Sequence, residues 1–154
     1  MDFRHDGFDV WVFRRRAGTV EYLLLRASQE KADRWFGGGV FWQIPSDFVG
    51  DDSVVDAISR ELARFGLTAR AVWAAEHAYT IFNRRYQSIV HLAVFAAEVE
   101  AERVELGWEH DEARWVPAAH AAELVSFRGL VEGLTWVRRM VTEAPVPLAE
   151  LRLL

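Results

Sequence analysis

An α+β architecture, a mixed β-sheet sandwiched between helices, is the fold class this sequence predicts. Strand-like runs and amphipathic helical segments follow one another in the order strands, helix, strands, helix. A hairpin signal stands on each side of the first long helix. No internal repeat, low-complexity tract or interdomain linker interrupts the sequence, so residues 1–154 are expected to form one domain that ends in an extended tail over 143–154.

Residues 8–16, F-D-V-W-V-F-R-R-R, alternate as a strand does, and A-G-T marks the turn into V-E-Y-L-L-L-R-A. Leu23, Leu24 and Leu25 are apolar on both faces, which places the second strand inside the sheet. Residues 28–34 are polar and lead into W-F-G-G-G, and three successive glycines read as a flexible loop. The aromatics beside it, Trp35, Phe36, Phe41 and Trp42, suit either a lid over a ligand or the hydrophobic anchors of a loop. Residues 41–67 then describe a strand ending at Pro45, a short acidic turn and a helix closed by Gly66.

Two long runs, 68–82 and 87–99, favour strand, and Asn83, Arg84 and Arg85 occupy the turn between them. Residues 104–112 read as a polar loop, and A-R-W-V forms a short strand stopped by Pro117. Residues 118–124 make one or two helical turns. Phe127, Leu130, Leu134, Val137 and Val141 recur at the spacing of a second amphipathic helix. Pro145 and Pro147 keep the tail extended, its apolar end free to pack on the body or on a second copy of the chain.

Composition removes several function classes. Without cysteine there is no disulfide framework, thiol nucleophile or cysteine-ligated metal. A net charge of −5 argues against a general nucleic-acid binder. The amino terminus lacks a signal pattern and no apolar run is long enough to cross a bilayer, so a cytoplasmic protein without membrane partners is expected. Lys31 is the only lysine, and arginine, whose planar fork suits phosphate and carboxylate, supplies the remaining cations.

One residue in the first long helix is out of place. Val54, Ile58, Leu62 and Phe65 form its core-facing stripe, and at roughly 100° per residue Glu61 projects beside Val54 on the edge of that stripe. A carboxylate there requires a cation, a metal or a water-filled cleft, because an unpaired charge near a core is costly to desolvate.

The run W-Q-I-P ending at Pro45, the acidic turn, then A-I-S-R-E-L ending at Leu62 and G-L at Gly66 and Leu67 resemble the signature of the Nudix family. The early V-F-R-R and V-E-Y-L-L-L-R-A-S, with the late E-H-D-E-A-R-W-V, look like the branch that cleaves diadenosine tetraphosphate. The resemblance implies a Nudix-like sheet between helices and a pyrophosphohydrolase with magnesium or manganese held by signature glutamates. Arg60, Glu61 and Leu62 match the signature's R-E-U core, U being a bulky aliphatic residue, and Asp52 falls where an earlier glutamate belongs. The match is incomplete: Gly66 and Leu67 come one residue early, Ser46 or Asp47 replaces the opening glycine, and A-R-F stands where two further glutamates belong.

Arg64 therefore brings positive charge to the place of a metal ligand, and two readings stand together. In one, Glu61 and Asp52 hold a metal, with Glu61, Glu109 and Glu112 as the catalytic carboxylates. In the other, Glu61 and Arg64 form an ion pair at the helix spacing of three. Asp47, Asp51 and Asp56 add acidity, but Asp56 lies across the helix from Glu61, and Asp51 suits a helix amino terminus. Arg14, Arg26, Arg60 and Arg84 are candidates to hold phosphate, and Trp42 and Tyr79 to stack on a base. His77 and His91 read as packed strand residues, whereas His110 matches the late E-H of the resembled branch. The expected functions are hydrolysis of a nucleoside diphosphate linked to another moiety, such as a dinucleoside polyphosphate, or, without catalysis, binding of a nucleotide-like small molecule or service as an interaction module. A homodimer is expected from the resemblance and the apolar tail.

Overall fold

A computed structural model describes residues 1–101 and 103–154. Seven strands form one mixed sheet: β1 (Phe3–Arg16), β2 (Thr19–Ala27), β3 (Trp42–Gln43), β4 (Ser46–Phe48), β5 (Ala69–Asn83), β6 (Ser88–Val99) and β7 (His110–Val116). The main path runs β3-β2-β1-β6-β5, while β4 pairs with β1 and β7 with β2. The neighbours β1 and β6 are parallel, and the other pairings between these strands are antiparallel. Four α-helices accompany the sheet: α1 (Gln29–Trp35), α2 (Val54–Ala63), α3 (Ala118–Leu124) and α4 (Arg128–Val137). The expected α+β class, a mixed sheet between helices, is what the chain forms.

Alternation along β1 divides the interior in two. Phe8, Val10 and Val12 face α2 and meet Ile58, Leu62 and Phe65. Trp11 and Phe13 project the other way, into a cluster with Leu130, Leu134 and Val137 of α4. Asp9 shares the parity of Trp11 and so belongs to the α4 side of the sheet.

Three local expectations are corrected. The residues read as a flexible loop begin with helix α1, because the Ser28 side chain accepts a hydrogen bond from the Lys31 N–H at 3.1 Å and caps it. The glycines do follow in a loop, where Gly37 and Gly38 have positive φ. The polar loop after residue 104 ends before His110, which already pairs with β2 at Ala27. The strand ending at Pro45 shortens to the two residues of β3.

The tail packs on the body. The Leu153 N–H donates to the Val72 carbonyl at 2.8 Å, and Arg152 bridges to Trp73, so the chain end covers part of β5. No helix among the described residues is long and apolar enough to cross a membrane.

Candidate functional site

Helix α2 delivers Glu61 to a cleft of about 860 Å³ that reaches across one end of the sheet. Ser53 caps the helix, accepting from the Asp56 N–H at 3.1 Å. Gly66, with φ of +69°, lets the Leu67 N–H turn back to the Leu62 carbonyl at 3.1 Å. Between these ends Glu61 is 2% exposed. Arg64 follows one turn later, and its Nη1 donates to both Glu61 oxygens, at 3.3 and 3.0 Å. Its Nη2 donates to Glu109. The misplaced acid of the stripe thus has its cation within its own helix turn.

Glu109 also meets Lys31 of α1, with 3.4 Å between Nζ and Oε1. Lys31 Nζ and Gln43 Nε2 lie 3.4 and 3.0 Å from His110 Nε2. Both neighbours are donors, so this ring nitrogen accepts, as a neutral imidazole can. Burial, with Lys31 charge beside it, pushes His110 down to about 4. Burial raises Glu61 while Arg64 draws it back. For Glu109 burial acts upward, but Lys31 and Arg64 outweigh it and the net direction is down. Lys31 is lowered by burial, against the pull of Glu109. Alternating charges, Glu61, Arg64, Glu109 and Lys31, thus form a continuous chain along one wall.

The other buried carboxyl of the cleft has no such company. Asp9 is 3% exposed and forms no ion pair among the described residues. The Tyr79 hydroxyl donates to its Oδ2. Burial lifts Asp9 to about 6, opposed chiefly by the hydrogen bond from Tyr79, while the Ser46 hydroxyl beside it donates to the Phe8 carbonyl at 3.0 Å. Burial and the neighbouring Asp9 charge raise Tyr79, so the phenol keeps its proton and remains a donor. Gly129 is what admits the Tyr79 ring: a Cβ there would stand 2.1 Å from Tyr79 Cε2.

The mouth carries the tip of the β5–β6 hairpin. Arg85 stacks 3.5 Å over the Trp35 ring, tying the tip to α1, and Arg84 lies against Gly37 without a carboxylate partner among the described residues. Five cations, Lys31, Arg64, Arg84, Arg85 and Arg128, line the cleft with four carboxyls, Asp9, Asp47, Glu61 and Glu109. Phe41, Phe48, Tyr86 and Phe127 supply flat apolar wall.

The residues singled out from sequence separate into two groups. Glu61, Glu109, Tyr79 and Arg84 line this cleft together. Arg14, Arg26, Trp42, Asp52, Arg60 and Glu112 do not line it. Arg14 bonds Glu21 and the Ala101 carbonyl. Arg26 pairs with Asp111 at 2.8 Å and Glu112 with Arg114 at 3.1 Å. Arg60 bonds Asp52 and the Phe48 carbonyl on the outer face of α2. Trp42 packs against the α4-side core with Arg114 over its ring. Asp9, Lys31, Gln43 and Arg85 were not singled out as site residues. Asp9 did leave a signal, an acid inside the apolar run from Phe8 to Phe13, and Lys31 another, as the sole lysine.

No protein-family model matches the sequence, and no curated protein matches it. Solved structures do. A MutT protein from Methanosarcina mazei superposes with a TM-score of 0.70 at 20% identity, over 92% of this chain and 99% of that one. The NUDIX domain of Shewanella oneidensis NrtR, solved with ADP ribose, gives 0.69 at 16% identity over 92% and 90%. The Caenorhabditis elegans Ap4A hydrolase, as a binary complex, gives 0.64 at 18% over 86% and 94%. This chain has the Nudix fold.

The Nudix resemblance implies a divalent cation at the signature helix, and the residues present do not fit one. Both oxygens of Glu61 are engaged by Arg64, and the carboxylate of Asp52 is engaged by Arg60 outside the cleft. Among the described residues no group of three or more histidine, aspartate or glutamate side chains converges as metal ligands. A hard cation needs several convergent oxygens. Here a guanidinium lies between the two carboxylates best placed to supply them.

Proposed function

We propose that this Nudix-fold chain binds a phosphate-bearing, ring-containing metabolite of the nucleoside diphosphate class without metal-dependent hydrolysis. The observation that carries the proposal is Arg64, fixed between Glu61 and Glu109 where the signature would supply further glutamates. The guanidinium and Lys31 together neutralise Glu61 and Glu109, so that Arg84, which has no carboxylate partner among the described residues, is left to receive phosphate. The aromatic wall suits a base or sugar face. The ADP ribose bound by the NrtR domain shows the ligand class that another chain of this fold accepts.

A second reading rests on the convergence of Glu61 and Glu109 upon one guanidinium. A pyrophosphate that drew Arg64 to itself would free both carboxylates, and the chain would then be a hydrolase of a nucleoside diphosphate linked to another moiety. The deciding experiment incubates the protein with magnesium or manganese and a panel of nucleoside diphosphates, ADP-ribose and dinucleoside polyphosphates. Melting temperature and product are both followed, with Glu61→Gln as the control. The binding proposal expects a raised melting temperature, metal present or absent, and no product. Turnover that Glu61→Gln abolishes overturns it in favour of the hydrolase.

A further inference from the structure

We infer that Asp9 and Tyr79 form a base-reading subsite in the cleft, one that takes a ring edge carrying two adjacent N–H donors, as a guanine-type ring does. This rests on the binding reading above but concerns different residues. Glu61 and its partners come from the α2 side of the sheet, whereas Asp9 and Tyr79 lie on the α4 side.

The geometry supports the subsite in three steps. First, Asp9 lines the cleft from the middle of β1, on a strand held on both sides by β4 and β6, so its backbone has little room to move. Second, its side-chain donor is the Tyr79 hydroxyl, the Ser46 hydroxyl beside it being spent on the Phe8 carbonyl, and no lysine or arginine among the described residues neutralises it. A carboxylate accepts up to four hydrogen bonds, so one hydroxyl leaves it under-served. The partner that would complete it brings donors, and a planar ligand brings two side by side most economically in a bidentate pair. Third, the surroundings suit the rest of such a ring. Ile44, Leu92 and Leu130 line the same cleft, and Gly129 leaves the Tyr79 ring flush against the α4 backbone. The hydroxyl of Tyr79 is thereby aimed at Asp9 Oδ2, which orients the carboxyl and makes Tyr79 a positioning residue as well as a wall.

An acceptor-bearing edge would face the carboxylate with a lone pair and be disfavoured. An edge with only one N–H would form one of the two bonds. Each hydrogen bond to a charged group that a site is built to make discriminates by about tenfold or more. Guanosine and inosine differ by the 2-amino group alone, and neither carries phosphate, so they probe this subsite without the cationic wall.

The experiment measures dissociation constants of guanosine, inosine, GDP and IDP for the intact protein, by chemical-shift titration with melting temperature as a check on folding. The parent is compared with Asp9→Asn, Tyr79→Phe and Arg84→Ala. The expected result is that the parent prefers guanosine to inosine, and GDP to IDP, by about tenfold or more. Asp9→Asn should erase both preferences while remaining folded, and Tyr79→Phe should reduce them. Arg84→Ala should weaken both diphosphates and leave the base preference intact. Equal binding of guanosine and inosine by the parent, or a preference that survives Asp9→Asn, overturns the subsite and leaves phosphate binding standing. Base preference with no gain from the diphosphate overturns the phosphate reading and leaves the subsite standing. Absence of any shift with all four ligands overturns both.

Discussion

Glu61 and Asp9 line the same cleft with almost no solvent contact, yet the fold surrounds them in opposite ways. Glu61 sits on the α2 side in a chain of alternating charges through Arg64, Glu109 and Lys31. Asp9 sits on the α4 side with the Tyr79 hydroxyl as its donor and no counter-charge among the described residues. Burial raises both carboxyls, but only Glu61 has a cation pulling back. The contrast separates two meanings of a buried acid. Glu61 is held as part of the scaffold's electrostatics, and Asp9 bears a desolvation cost that no counter-charge among the described residues offsets. A costly group facing a cleft is the stronger candidate for work on a ligand.

Asp9→Asn breaks this comparison most strongly. With its folded value near 6 against an ordinary 3.8, the folded protein binds more protons than the unfolded chain between those values, so Asp9's contribution falls as pH rises through that window. Above it, the full cost is about 3 kcal/mol at 1.36 kcal/mol per unit. Asparagine can still accept from Tyr79 and carries no charge. The variant should therefore unfold at higher denaturant than the parent at pH 8, by up to about 3 kcal/mol, with the gain vanishing below about pH 4. His110 titrates in the same region with opposite sign: lowered to about 4, it adds stability as pH rises toward 6.5. The two partly cancel in the parent, and Asp9→Asn should expose the upward slope of His110. A flat difference between parent and variant across pH 4 to 8 would show that Asp9 is not desolvated as described.

The Arg64 pair comes next in size. Removing one partner of a buried ion pair costs about 3–5 kcal/mol, and Arg64 is 47% exposed on its side chain, so about 2 kcal/mol is expected for Arg64→Ala at pH 7. Most of that loss is Glu61 left without a counter-charge. Adding Glu61→Gln to Arg64→Ala should therefore recover at least half of it, a coupling that a double-mutant cycle reads directly. Additive losses would mean that Arg64 contributes by packing and by Glu109 alone.

Much of the Glu61 half was legible in the sequence, and little of the Asp9 half. Helical periodicity places Glu61 on the edge of a core stripe and Arg64 one turn on, so a four-residue window already contains the ion pair. Glu109 needed only a resemblance to bring it near. Asp9 and Tyr79 are 70 positions apart and meet because β1, β6 and β5 lie side by side, a fact of sheet order that no local pattern encodes. Helix α1 escaped for another reason. At seven residues it is too short for a periodic signal, and it depends on Ser28 as cap and on burial of Lys31 and Ala32. Trp42 and Arg26 show the reverse case. Both are of the right type beside the right motif, but strand parity and a nearer partner, Asp111 for Arg26, turn them away from the cleft.

Tyr79→Phe is the smallest of the three effects and tests how the two ends differ in kind. The lost hydroxyl is worth about 1 kcal/mol as an ordinary hydrogen bond, somewhat more when Asp9 is ionised. Because the hydroxyl favours the ionised carboxyl, its removal should lift Asp9 further, and the pH window over which the parent loses stability should move upward. Carbon-detected titration of the Asp9 carboxyl would follow that movement directly. In the Asp9→Asn background the same substitution should cost less and show no pH dependence of this origin, since the amide does not titrate. At Glu61 the corresponding operation removes a full charge and leaves the acid stranded. At Asp9 it removes a dipole from an acid already without a counter-charge, so the loss is modest and the shift in titration is the larger signal. A Tyr79→Phe variant whose Asp9 titrates as in the parent would mean that the hydroxyl merely fills space beside the carboxyl and does not orient it.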